Sequence, residues 1–174
     1  MSPGGANPFR VEALSERHER SGFCCGIEAL DRYLRQQAGQ DLRRRVTAPF
    51  VLVQSCEPEA IIGFYTLAST AIDAEKLPQE LGRNLPRYPL IPAALLGRLA
   101  IDERHRGQGL GEFLLMDALK RCLETSRQVA SFAVVVDAKD EAATAFYRRY
   151  GFLAFVNEAR KLFLPMRTVA QLFA

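Results

Sequence analysis

One segment limits what this chain can fold into more than any other: the run from residue 94 to residue 137, which reads ALLGRLAID, RHRGQGLG, a long amphipathic stretch, and VASFAVVVD. Ala94 to Asp102 has the composition of a strand, and Gly97 within it marks a bulge or the close approach of another backbone. A helix follows the glycine loop through about Ser126, with Leu114, Leu115, Ala118, Leu119 and Cys122 at helical spacing on its buried side. Val129 to Asp137 is apolar enough to be covered on both faces, as parallel strands are. The segment is therefore one strand, helix, strand crossover, and the fold class it implies is α/β (α+β).

Between a strand and a helix, glycines let the backbone approach a pyrophosphate closely, while exposed N–H groups and the helix dipole attract negative charge. The spacing selects among diphosphate loops. A P-loop requires a lysine that is absent, and the dinucleotide fingerprint requires a glycine where Glu112 stands. What remains is R-x-x-G-x-G, carried by Arg104, His105, Arg106, Gly107, Gln108 and Gly109.

The rest of the chain is organised around this centre. An amphipathic helix is expected over Gly26 to Leu42, with Ile27, Leu30, Leu34, Ala38 and Leu42 on one stripe, ending in the basic cluster Arg43, Arg44 and Arg45. Pro49 to Cys56 and Ala60 to Ser69 read as a hairpin across Glu57, Pro58 and Glu59. Four prolines between Asp73 and Pro92 leave room only for a short helix near Ala74 to Leu81. A second helix starts at Asp140, a good N-cap, and ends at Tyr150 before Gly151. Phe146 and Tyr150 share a face on it, as core residues do, and Tyr147 points elsewhere. Phe152 to Val156 and Ala159 to Leu164 read as closing strands. With 174 residues and no internal repeat, a single domain over 1–174 is expected.

The four cysteines form no C-x-x-C pair and only His18 and His105 could join them, so neither zinc nor a disulfide framework is expected, and the thiols read as buried and free. No apolar run reaches about 18 residues and no signal pattern opens the chain, which points to the cytoplasm and away from a membrane. The net charge is +3, and 19 of the 23 basic residues are arginine, the side chain that binds phosphate bidentately. The arginine preference of a GC-rich genome produces the same bias.

R-x-x-G-x-G between a strand and a helix, together with EAATAFYRRYGF at 141 to 152, resembles the GNAT acetyltransferases. The resemblance implies a central mixed, twisted sheet of six to seven strands flanked by helices, with parallel strands 4 and 5 splayed apart. It implies acetyl-CoA as cosubstrate, its diphosphate at Arg104, Arg106, Gly107, Gln108, Gly109, Leu110 and Gly111, and its pantetheine arm along Leu99, Ala100 and Ile101. Tyr147 matches the family tyrosine that protonates the departing thiolate, a task suited to a phenol with pKa of about 10. The strand carries no glutamate at its centre to act as base, only Asp102 and Glu103 at its edge. This favours an α-amine acceptor, which titrates near pH 8, over a lysine above 10.

Residues 14 to 38, with Phe23, Cys24, Cys25 and Gly26 matching F-x-C-G, the loop and strand at 85 to 102, and the tail at 161 to 169 extend the likeness to the GNAT toxins of type II toxin-antitoxin systems. That resemblance implies acetylation of aminoacyl-tRNA, translation block, a ribbon-helix-helix antitoxin and a homodimer. A tRNA acceptor calls for a basic surface, for which Arg43, Arg44, Arg45, Arg83, Arg87, Arg98, Arg148 and Arg149 are the candidates. The alternative is a GNAT enzyme acting on a small-molecule amine or a protein N-terminus.

Overall fold

Alternating apolar residues make the N-terminal half an antiparallel meander. Phe9–Ala13 (β1) pairs with Ala48–Gln54 (β2), and β2 with Gly63–Asp73 (β3). The computed structural model describes residues 7–83, 85 and 88–174. Between β1 and β2 the chain is helical over Glu28–Arg32 (α1), widens into a π turn at Tyr33–Gln37, and resumes as Ala38–Arg44 (α2), which Arg45 closes in the left-handed conformation. After β3 come a short 3₁₀ turn and Gln79–Gly82 (α3). Next are Leu90–Ile101 (β4), Leu110–Ser126 (α4), Ala133–Asp137 (β5), Glu141–Arg149 (α5), Leu153–Phe155 (β6), Glu158–Pro165 (β7) and Met166–Leu172 (α6). The seven strands are ordered β1-β2-β3-β4-β5-β7-β6, with β4 parallel to β5, so the sheet is mixed as expected.

The chain divides into two compact units, Met1–Leu67 with Arg98–Ala118 and Ala68–Gly97 with Leu119–Ala174. In the first, Tyr33, Leu34 and Ala38 cover Val51, Val53, Phe64 and Ala100. Phe23 meets Phe64 edge to face at 5.5 Å, and burying such rings stabilises the fold by about 2 kcal/mol each. On the other sheet face Tyr65 donates a 2.6 Å hydrogen bond to Asp117 of α4. In the second unit, Ile72, Ile91, Ala93, Ala133, Val135, Phe155 and Phe163 form the core.

Several boundaries differ from the sequence reading. β4 begins at Leu90 and so contains Pro92, whose carbonyl still accepts a hydrogen bond from Phe132 N. β5 begins only at Ala133, its first four residues buried on both faces. Strand β1 and helix α6 carry no signal strong enough to be anticipated. On α5 the expected facing is reversed: Tyr147 is the buried residue, whereas Phe146 and Tyr150 are only half-buried. Leu42 is exposed, because the π turn shifts the apolar stripe. All four cysteines are free, but only Cys25 and Cys122 are buried; Cys24 and Cys56 are exposed.

Candidate active site

The parallel register of β4 on β5 runs from Ala94↔Val134 to Leu96↔Val136, and β4 continues for five residues beyond it. Gly97 thus stands where the two strands stop pairing, and Leu99, Ala100 and Ile101 lie past that point. Asp102 ends the strand by folding its carboxylate over the backbone N–H of Arg104 at 2.9 Å, which nucleates the 3₁₀ turn Glu103–His105. The glycines follow. Gly107 and Gly109 have φ of +79° and +73°, a conformation other residues resist, and α4 starts at Leu110.

The loop has the makings of an anion cradle. Among the described residues, no backbone acceptor faces the N–H groups of residues 107 to 112. Residues 106 to 109 are exposed, and a Cβ placed on Gly107 or Gly109 would meet nothing within 4 Å. Unpaired amides at the N-terminus of a 17-residue helix, opening onto free space, fit a diphosphate. Gly109→Ala is expected to cost about 1 kcal/mol in stability from backbone strain and to raise the KM for acetyl-CoA, read by thermal melting and steady-state kinetics.

The two arginines of the motif do something else as well. Arg104 donates from Nε and Nη2 to the Asp102 carboxylate at 3.0 and 3.1 Å and to the carbonyl of Gly22 at 3.2 Å. Arg106 Nη2 donates to the carbonyl of Cys25 at 2.6 Å, and Asp102 also accepts from Cys24 N at 3.1 Å. Together they brace the loop against residues 22 to 26. Gly26, with φ of +89°, sits there in a left-handed conformation that strains any side chain, and a Cβ would also push aside the ends of Glu103 and Arg106, 2.6 and 2.8 Å away. Burial by itself would raise the Asp102 pKa, but the Arg104 side chain and the two backbone N–H groups pull it down to about 2. So stabilised an anion is a poor base at neutral pH.

In the second unit, Asp140 caps α5 through a 2.8 Å hydrogen bond from Ala143 N, and α5 presents Tyr147 inward, 8% exposed. Its ring lies between Phe146 and Phe152, with centroids 5.2 and 5.3 Å away. Burial pushes its phenol up to about 12. The hydroxyl has no partner among the described residues. The buried side-chain atoms lacking one are Thr66 Oγ1, His105 Nδ1 and Glu158 Oε2, so the Tyr147 oxygen keeps access to the outside.

Of the candidate nucleic-acid contacts, Arg43, Arg44 and Arg45 are exposed together at the end of α2 in the first unit. Arg83, Arg148 and Arg149 are exposed in the second, Arg98 is half-buried, and Arg87 lies outside the described residues. None of the seven described ones makes an ion pair among the described residues. Sequence reasoning missed Tyr33, whose ring carries the Arg98 guanidinium. Among the described residues no three His, Cys, Asp or Glu side chains group as a metal site would need, and no helix is long and apolar enough to cross a membrane.

A model of the acetyltransferase (GNAT) domain matches residues 47–153. The chain is 30% identical to the probable toxin TacT of Sinorhizobium fredii, over 99% of both proteins. It is 32% identical to the tRNA-acetylating toxin of Mycobacterium tuberculosis, over 88% of this chain and 90% of the relative. AtaT complexed with acetyl-methionyl-tRNAfMet superposes with a TM-score of 0.89 at 29% identity, over 95% of this chain and 99% of that one. An AtaT mutant bound to the C-terminus of the antitoxin AtaR and acetyl-CoA does so with a TM-score of 0.81 at 26% identity, over 97% and 99%. With its loop, its capped tyrosine helix and its seven-stranded sheet, the chain belongs to the GNAT acetyltransferase family, alongside the tRNA-acetylating toxins.

Proposed function

We infer that the protein, as a single GNAT domain over 1–174, transfers the acetyl group of acetyl-CoA to the α-amine of aminoacyl-tRNA and thereby blocks translation. The observation that carries this reading is the row of unpaired amides at 107 to 112, which has the geometry for the cosubstrate's diphosphate. Acetyl-CoA supplies the activated thioester. The amides hold its phosphates, and Arg104 and Arg106 hold the amides in place through residues 22 to 26. Leu99, Ala100 and Ile101 lie beyond the last β4–β5 pair and offer backbone to the pantetheine arm in the manner of an added strand. Tyr147, fully protonated at neutral pH, gives its proton to the sulfur as the bond to the acetyl carbon breaks.

No residue is assigned as general base, and Asp102 is unsuited to the task. An α-amine with a pKa of about 8 attacks without one, because a sizeable fraction is already neutral at physiological pH, and the proton its nitrogen sheds as the amide forms passes through solvent to restore the Tyr147 phenol. The exposed arginines Arg43, Arg44, Arg45, Arg83, Arg148 and Arg149, and Arg87 by sequence, supply charge for the phosphates of tRNA. An antitoxin of the ribbon-helix-helix type restrains the enzyme, which acts as a homodimer in the cytoplasm; a relative solved with its antitoxin supports restraint by an antitoxin.

Purified protein incubated with labelled acetyl-CoA and bulk charged tRNA is expected to place the label on the aminoacyl group. Label on polyamines or peptides, with none on charged tRNA, refutes the acceptor. The same protein expressed alone is expected to arrest growth.

A further inference from the structure

We propose that Arg98, seated on the ring of Tyr33, is the docking point for the phosphate on the 5′ side of the terminal ribose of charged tRNA. The proposal rests on the aminoacyl-tRNA reading above and assigns Tyr33 and Asp41 as positioning residues for that arginine.

Arg98 lies on β4 two residues past its last pair with β5 and next to the strand segment Leu99 to Ile101. Side chains alternate along a strand, so Arg98 shares a face with Ala100, which packs in the core with Tyr33 and Phe64. The guanidinium carbon sits 3.5 Å from the centroid of the Tyr33 ring. Beneath the guanidinium the platform is fixed from two sides. The Tyr33 ring stacks on Phe64 at 6.3 Å with 15° between the planes, and its hydroxyl donates to Asp41 Oδ2 at 2.9 Å.

That hydrogen bond depends on the π turn. Residues eight apart on a regular helix are about 80° out of phase, whereas residues seven apart lie within about 20° of one another. The extra residue absorbed at Tyr33–Gln37 lets position 41 behave as if it were 40, which brings its carboxylate onto the Tyr33 face. Burial and the Asp41 hydrogen bond push the Tyr33 phenol up to about 12 against the opposing pull of the Arg98 charge, so the ring stays neutral beneath the guanidinium.

Among the described residues the Arg98 guanidinium has no hydrogen-bond acceptor and no carboxylate partner. One of its faces is covered and its donor fork is free. A fork held still in this way is shaped for two oxygens of one phosphate, and little freedom is lost when they bind. The phosphate it meets is not that of the cosubstrate. Ile101 and Leu114 of α4 both crowd the place where Gly63 would carry a Cβ, so α4 and the loop that opens it belong to the other face of β4. On the Arg98 face, the phosphate closest to a reacting α-amine is the one belonging to the nucleotide that carries the aminoacyl ester.

The test uses two small acceptors, a 3′-O-aminoacyl adenosine with and without a 5′-phosphate, bearing the amino acid that the wild-type enzyme acetylates best on bulk charged tRNA. The wild type is expected to prefer the phosphorylated compound by about 10- to 100-fold in kcat/KM. Arg98→Ala and Tyr33→Leu are expected to bring that ratio close to one, Arg98→Lys to keep part of it, and Tyr33→Phe, which retains the platform, more than Tyr33→Leu. A ratio within one protein is insensitive to a general loss of folded enzyme. Equal rates with both acceptors in the wild type, or a preference that survives Arg98→Ala, overturn the phosphate site alone. Failure of the wild type to acetylate either compound or charged tRNA overturns the acceptor reading and the proposal with it.

Discussion

Replacing Tyr147 with phenylalanine is expected to lower kcat by about 100- to 10,000-fold, the range that a positioned general acid contributes. Stability should change little. The ring's packing against Phe146 and Phe152 is kept, and the lost hydroxyl leaves no described group without its partner. Binding of acetyl-CoA, measured by titration, should also be close to that of the wild type, so the loss falls on turnover. The pH profile gives a second check. With its phenol raised to about 12 by burial, Tyr147 stays protonated throughout the working range, so the wild-type rate should show no alkaline decline from this group below about pH 10. An unchanged kcat in the phenylalanine variant excludes Tyr147 as the acid.

Asp102→Asn is expected to destabilise the protein by about 3 kcal/mol, because a buried acceptor of four N–H groups is replaced by a side chain that turns donors toward some of them. For a chain of this length that corresponds to a drop in Tm of about 6–12 °C. The same change loosens the tie between residues 22 to 26 and the start of the glycine loop, so the KM for acetyl-CoA should rise. Acid offers an independent reading. A carboxylate lowered in the folded state stabilises the fold above its unfolded pKa of about 4, and that contribution disappears as the pH falls toward about 2. The wild type should therefore lose stability across that window by urea titration, and the asparagine variant should have a flatter profile there. Identical profiles mean that Asp102 contributes nothing through its charge.

The crossover from 94 to 137 was legible because its signals are local. The apolar spacing of α4, the glycines before it and the capping aspartate of α5 each act within a few residues of themselves. The loop's amides could be identified for the same reason. The uses of Arg104 and Arg106 could not, since their partners at Gly22 and Cys25 lie about eighty positions away in sequence. The facing of α5 was misjudged because Phe146 and Tyr150 form a self-consistent pair at i and i+4. That pair does exist, with centroids 5.3 Å apart, but it lies at the rim, and the tertiary contact with Phe152 decides which ring goes inside. Tyr33 escaped notice because the stripe through Leu34, Ala38 and Leu42 assumed a constant helical period.

That period is broken by a single surplus residue. A π turn is an α-helix that has accepted an insertion without unwinding, and its presence at Tyr33–Gln37 has a structural implication for shorter versions of the chain. Deleting one position after Tyr33 from that turn would let the helix close its regular hydrogen bonds and leave Leu42, now 37% exposed, on the phase it already has. Asp41 would then stand seven residues after Tyr33 on a regular helix, within about 20° of it, and would still face the phenol. Such a deletion would give a better-wound helix that still anchors Tyr33, whereas removing the bulge with every residue kept would turn Asp41 about 100° off the ring.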